Sequence, residues 1–371
     1  MPTLRPLPLV GVAFISWVAA SMLLASTAWA QFERREAIFY LYGHYNYATQ
    51  RAYPEFNDML NIIDIGHAEL AERLTTAKSE EEAIATIEED LFTMVTKMFI
   101  GQTRRPRFSP AEETIAPESV KLAWKITKAF EWTHSLHRQV YDILSDEQVK
   151  NKERAIREAL HYYLTEPGRA FPMRLKAMDL MEGQSFSGYW RTKYPRFNGA
   201  IWAYHWLQLA ANETLLEPNP ATRRKNIERA VAEFKKMFLN PDLLPKHMPM
   251  AHEVSPTFAQ RFPDVAAVFD NLHTFHDIYM DLLTNPAVHD KREEAYKQLA
   301  LMANPSSHLE EQPAHLLLPP VPVDRQQPLL QMDQEEHMAM MMLSTKEQHR
   351  LLALPVEARK QKLIRHQGMD H

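Results

Sequence analysis

The chain has 371 residues, 45% hydrophobic and 24% charged, with 42 basic against 47 acidic side chains and a formal net charge of −5. This is globular composition, long enough for one large domain or two smaller ones, and its acidic balance argues against a nucleic-acid partner. Cysteine is absent, which excludes disulfides, thiolate-ligated zinc, iron–sulfur clusters and covalently attached c-type haem.

In chain order, the first segment reads as an export signal. Arg5 precedes the apolar run LVGVAFISWVAASMLLAS, and AWA at positions 28–30 fits a small-residue cleavage site. A Sec-type signal peptide over residues 1–30, cleaved after Ala30, places the mature chain in a periplasm or outside the cell. The run is also long enough to remain as an uncleaved N-terminal anchor. Helical periodicity then dominates, over roughly 34–48, 54–77, 79–100, 118–145, 147–164, 169–182, 198–216, 220–239, 261–284 and 287–303. Pro and Asn punctuate these stretches at YPEF, TEPGRAFP, LEPNPAT and TNPAV. The expected fold is an all-α, multi-helix bundle domain over residues 31–304. Residues 305–330 read as a Pro-rich linker, and residues 331–371 as an amphipathic helical tail able to dock on a protein or membrane-complex partner.

Two octets share one layout: FEWTHSLH at 130–137 and FDNLHTFH at 269–276. Each carries Phe, an acid, and His four and seven residues after the Phe. On a helix of 3.6 residues per turn, His134 and His137 fall on the face of Ile126, Phe130, Tyr141 and Leu144, with Glu131 at its edge. His273 and His276 fall likewise among Val265, Phe269, Leu272, Tyr279 and Leu283, with Asp270 at the edge. His67 lies on the face of Phe56, Met59, Leu60, Ile63 and Leu70, three residues after Asp64. His205 sits on a helix apolar almost all round, with Trp202 where the others have an acid. Four helices with an inward His at mid-length and near-even spacing can collect ligands in one layer.

The predicted metal ligands are therefore His67, Glu131, His134, His137, His205, Asp270, His273 and His276, a His-rich set suited to iron or copper, with zinc or manganese also accommodated. The (D/E)xxH pairs share ligand geometry with di-iron carboxylate bundles, although the additional Glu ligands of that pattern have only loose counterparts in Glu69 and Glu182. Non-covalent haem between facing imidazoles is an alternative, and duplication of a helical hairpin would produce the same resemblance with no ligand at all. HMPMAHE and HMAMMM add secondary copper candidates in His247, Met248, Met250, His252, His337, Met338 and Met340, since thioether and imidazole together suit copper.

The functional expectation is an exported helical metalloprotein with a mono- or dinuclear site, which as an enzyme would carry out redox chemistry on a small-molecule substrate that the sequence does not identify. The alternative is a non-catalytic copper or haem carrier that docks through its tail. No G-x-S-x-G context surrounds Ser185 or Ser187, so a serine hydrolase is not indicated.

Overall fold

A computed structural model describes residues 43–309. Within them the chain is all-α, with an isolated β bridge between Lys176 and Leu309. The signal segment, most of the linker and the tail, with His337, Met338 and Met340, lie outside the described residues.

The first half runs through α1 (Ala48–Ala52), α2 (Pro54–Thr76), α3 (Glu80–Ala85), a π-helical turn (Thr86–Leu91), α4 (Phe92–Phe99), α5 (Glu112–Ile115), α6 (Pro117–Ser145) and α7 (Lys152–Tyr163). After α8 (Asp179–Glu182) come α9 (Tyr189–Lys193), α10 (Pro195–Leu215), α11 (Pro220–Leu239), α12 (Ala251–Val254), α13 (Pro256–Arg261), α14 (Pro263–Thr284) and α15 (Lys291–Ala303). Proline opens α2, α6, α10, α11, α13 and α14, where its missing N–H costs nothing and its φ is already helical. The helix expected over 169–182 is reduced to its last turn. Upstream of it, Asn271 of α14 takes over the backbone, donating to Pro172 O at 3.0 Å and Arg174 O at 2.8 Å and accepting from Lys176 N at 2.9 Å. These bonds hold the segment extended and satisfy the polar groups a helix would otherwise pair internally.

The two halves repeat one another in structure. Asp142 near the end of α6 accepts from Tyr47 N and Thr49 N at the start of α1, at 2.7 and 2.8 Å. Asp281 near the end of α14 accepts from Gly188 N and Trp190 N at the start of α9, at 2.8 and 2.7 Å. The residue entering each short helix is left-handed: Tyr47 at φ 63°, Gly188 at φ 78°. Glu72 of α2 caps Glu118 N and Ser119 N of α6, as Glu213 of α10 caps Phe258 N of α13. The kink at Ala123 inside α6 (φ −146°, ψ 58°) matches the break at Phe262 between α13 and α14 (φ −132°, ψ 58°). Lys152 and Lys291, each the first residue of its helix, reach back to the last carbonyls of the preceding long helix, at Leu144 and Leu283.

Corresponding residues also exchange contacts across the centre. Phe130 packs on His276 with ring centroids 4.2 Å apart, and its counterpart Phe269 packs on His137 at 3.7 Å. Reciprocal contact of this kind is the mark of a two-fold relation. The long helices α2, α6, α10 and α14 therefore form a central pseudo-symmetric layer, and the shorter helices surround it. Gly66 is needed where α2 meets α10, because a Cβ there would stand 2.9 Å from the hydroxyl of the fully buried Tyr204. That close approach brings His67 into the layer.

Candidate metal centre

His67 of α2, His134 of α6 and His276 of α14 converge: one ring nitrogen from each lies within 4.8 Å of the other two. Ring centroids are 4.5 Å apart for His67 and His276, 5.4 Å for His134 and His276, and 5.7 Å for His67 and His134. Ligand nitrogens on a tetrahedral ion with bonds of about 2.0–2.1 Å stand roughly 3.3 Å apart, so the rings need to close by an ångström or so. His134 and His276 are buried, whereas His67 is half-buried beside a cavity of about 30 Å³ also lined by Asp64, Ala68, Phe130 and Met280. Such a volume holds a water or two.

Behind the triad, His205 Nε2 lies 3.3 Å from His276 Nδ1. An outer partner on the second ring nitrogen is what fixes tautomer and orientation in a ligating imidazole. His273 stacks on His205 at 3.9 Å with planes 10° apart, and His137 stands 6.2 Å beyond it. Burial holds His137, His205 and His276 well below the ordinary imidazole pKa and takes His273 down to about 3, with neighbouring imidazoles adding to the effect. These four imidazoles are thus neutral at physiological pH, each with one N–H and one lone pair.

Of the two acids lining the cavity, Asp64 and Glu112, Asp64 is anchored by Arg138 at 2.6 Å and Ser109 at 2.5 Å in a buried cluster that Asn61 completes. Arg138 links α6 to α2 one residue after His137. Sequence periodicity flagged Asp64 but passed over Arg138 and Ser109, because a buried ion pair between distant segments leaves no local pattern.

The other predicted ligands are placed elsewhere. Glu131 accepts from Glu112 N at 2.9 Å and from Lys128 at 3.0 Å, pinning α5 beside the cavity. Its counterpart Asp270 accepts from Ala251 N at 2.9 Å, capping α12; burial takes its carboxyl up to about 8 against that hydrogen bond. Both acids support short helices, and neither belongs to the group of converging ligand atoms. Glu69 pairs with Arg73, and Glu182 with Arg191. Of the Met/His candidates, Met248 is buried in the apolar core and Met250 packs against it, while His247 is exposed and His252 half-buried. The chain matches no known family, no curated protein and no solved structure.

Proposed function

We propose that the chain is a helical metalloprotein holding a divalent transition-metal ion, iron or copper by preference, on His67, His134 and His276. The observation that carries the reading is the convergence of three imidazoles, from three helices far apart in sequence, within 4.8 Å beside a water-sized cavity. All-imidazole ligation suits iron, copper and zinc, and three protein ligands with an open fourth position form the usual arrangement of a reactive metal rather than a structural one. Bound there, an ion of this kind supplies Lewis acidity or one-electron chemistry to a molecule about the size of water, dioxygen or peroxide. The chain's own part is to orient the rings through His205, to set Asp64 nearby as counter-charge and to exclude bulk water with Phe130 and Met280. The apolar N-terminus supports an exported setting, so redox chemistry in a periplasm is the preferred class. The Met/His carrier reading has no comparable support, since the described Met side chains are packed rather than gathered.

The test is metal retention. The full chain is expected to keep iron or copper through gel filtration, and His67→Ala and His276→Ala are each expected to lose the most tightly held equivalent. Equal retention by both folded variants would overturn the assignment.

A further inference from the structure

The pseudo-two-fold relation gives the triad a counterpart. Matching the halves through their shared caps and turns pairs His134 with His273, His276 with His137, and His67 with Gln208. Asp64 pairs with His205. The reciprocal packing of Phe130 on His276 and Phe269 on His137 shows that this matching holds inside the layer itself. The pair His137–His273, at 6.2 Å between centroids, mirrors His134–His276 at 5.4 Å.

Side chains in this second set are buried with lone pairs that nothing among the described residues uses. His273 is fully buried with neither ring nitrogen partnered, and Gln208, 3% exposed, has an unpartnered Oε1. His137, 1% exposed, has an unpartnered Nδ1. Its tautomer follows from its neighbour. The Tyr141 hydroxyl gives its only proton to Gln208 O at 2.8 Å, so at 2.8 Å from His137 Nε2 it accepts that nitrogen's hydrogen. The His137 lone pair is therefore on Nδ1. Asn212, one turn after Gln208 on the same face of α10, is fully buried with both amide atoms unpartnered. Left dry, each such orphan is destabilising, and the unused lone pairs of His137, His273 and Gln208 invite a group that accepts them.

We propose that His137, His273 and the Gln208 carboxamide form a second transition-metal subsite, related to the His67–His134–His276 site by the internal repeat, so that the layer binds two ions per chain. This rests on the metal-site reading above. Replacing one imidazole by an amide oxygen makes the second set harder and weaker, so it fills after the first.

The experiment is a titration of the metal-free full chain with Co²⁺, followed by visible absorption and by bound metal after equilibrium dialysis. Two ions per chain are expected, the second at least tenfold weaker. His273→Leu should lose only the second and His67→Ala only the first. If His273→Leu does not fold, Gln208→Leu should weaken the second ion at least tenfold and leave the first unchanged. One ion per chain, lost in His67→Ala, would overturn the second subsite while leaving the first. Two ions retained in a folded His273→Leu, or unaffected in Gln208→Leu, would overturn it as well. No bound ion at all would overturn both readings.

Discussion

Arg138→Met tests the buried electrostatics beside the triad. Arg138 is 7% exposed and Asp64 9%; their contact at 2.6 Å joins α6 to α2 and is shared with Ser109 and Asn61. Removing the guanidinium strands a carboxylate in the layer, and breaking a buried pair from one side costs about 3–5 kcal/mol. Asp64 keeps Ser109, so the lower end applies. At roughly 2–4 °C per kcal/mol for a domain of this size, the metal-free variant should melt about 6–12 °C lower by circular dichroism, and added salt should not restore it, because a buried pair is little screened. The double variant Asp64→Leu/Arg138→Met should recover most of the loss. Since Asp64 also lines the triad's cavity, its unneutralised charge should make added metal raise Tm more in Arg138→Met than in the wild type. A shift worth less than about 1 kcal/mol, or a double variant as damaged as the sum of the single ones, would refute the reasoning.

Acid should act on the layer directly. Buried imidazoles whose folded pKa lies below the unfolded value of about 6.5 favour the neutral state, so the unfolded chain binds more protons and stability falls as pH drops below about 6.5. At pH 4.5 each imidazole that stays neutral in the fold, as His273 does with its pKa of about 3, costs roughly 3 kcal/mol. Denaturant melts at pH 7 and pH 5 would show this, and a flat profile would contradict it. Asp277 and Asp270, raised to about 7 and 8, contribute oppositely, with stability present at low pH and lost as pH rises through those values. Glu131→Gln should cost about 1–2 kcal/mol through the weakened cap on α5 and leave metal affinity within about twofold, as measured by dialysis; a large loss of metal would make Glu131 a ligand after all. Gly66→Ala should cost about 1–3 kcal/mol by overpacking against Tyr204 and weaken metal binding, because it moves the helix that carries His67. Unchanged affinity would separate that contact from the site.

The long helices were legible because their apolar spacing and proline starts are local signals: Pro220–Leu239 falls where the sequence places it. The inward direction of His134, His205, His273 and His276 was legible for the same reason. Which imidazoles meet was not, because that depends on how four helices cross. Glu131 and Asp270 illustrate the limit. An acid three residues before an inward His has the spacing of a ligand, yet at the edge of the face it can instead reach a neighbouring helix terminus, as both do. The repeat left a trace in YPEFN at 53–57 and YPRFN at 194–198. Extending that match along the chain aligns His67 with Gln208, which explains why the triad, drawn from both halves, has only a pair of imidazoles as its symmetry-related counterpart. The short helices α5, α9 and α12 have no periodicity to read, being capped by residues distant in sequence.

The most direct measurement is X-ray absorption on the full chain loaded with a single equivalent of copper or zinc. A first shell of nitrogen or oxygen near 2.0–2.1 Å is expected, with imidazole outer-shell scattering from about three rings that drops by one ring in His134→Ala. A shell without imidazole scattering, or one identical in wild type and His134→Ala, would contradict it.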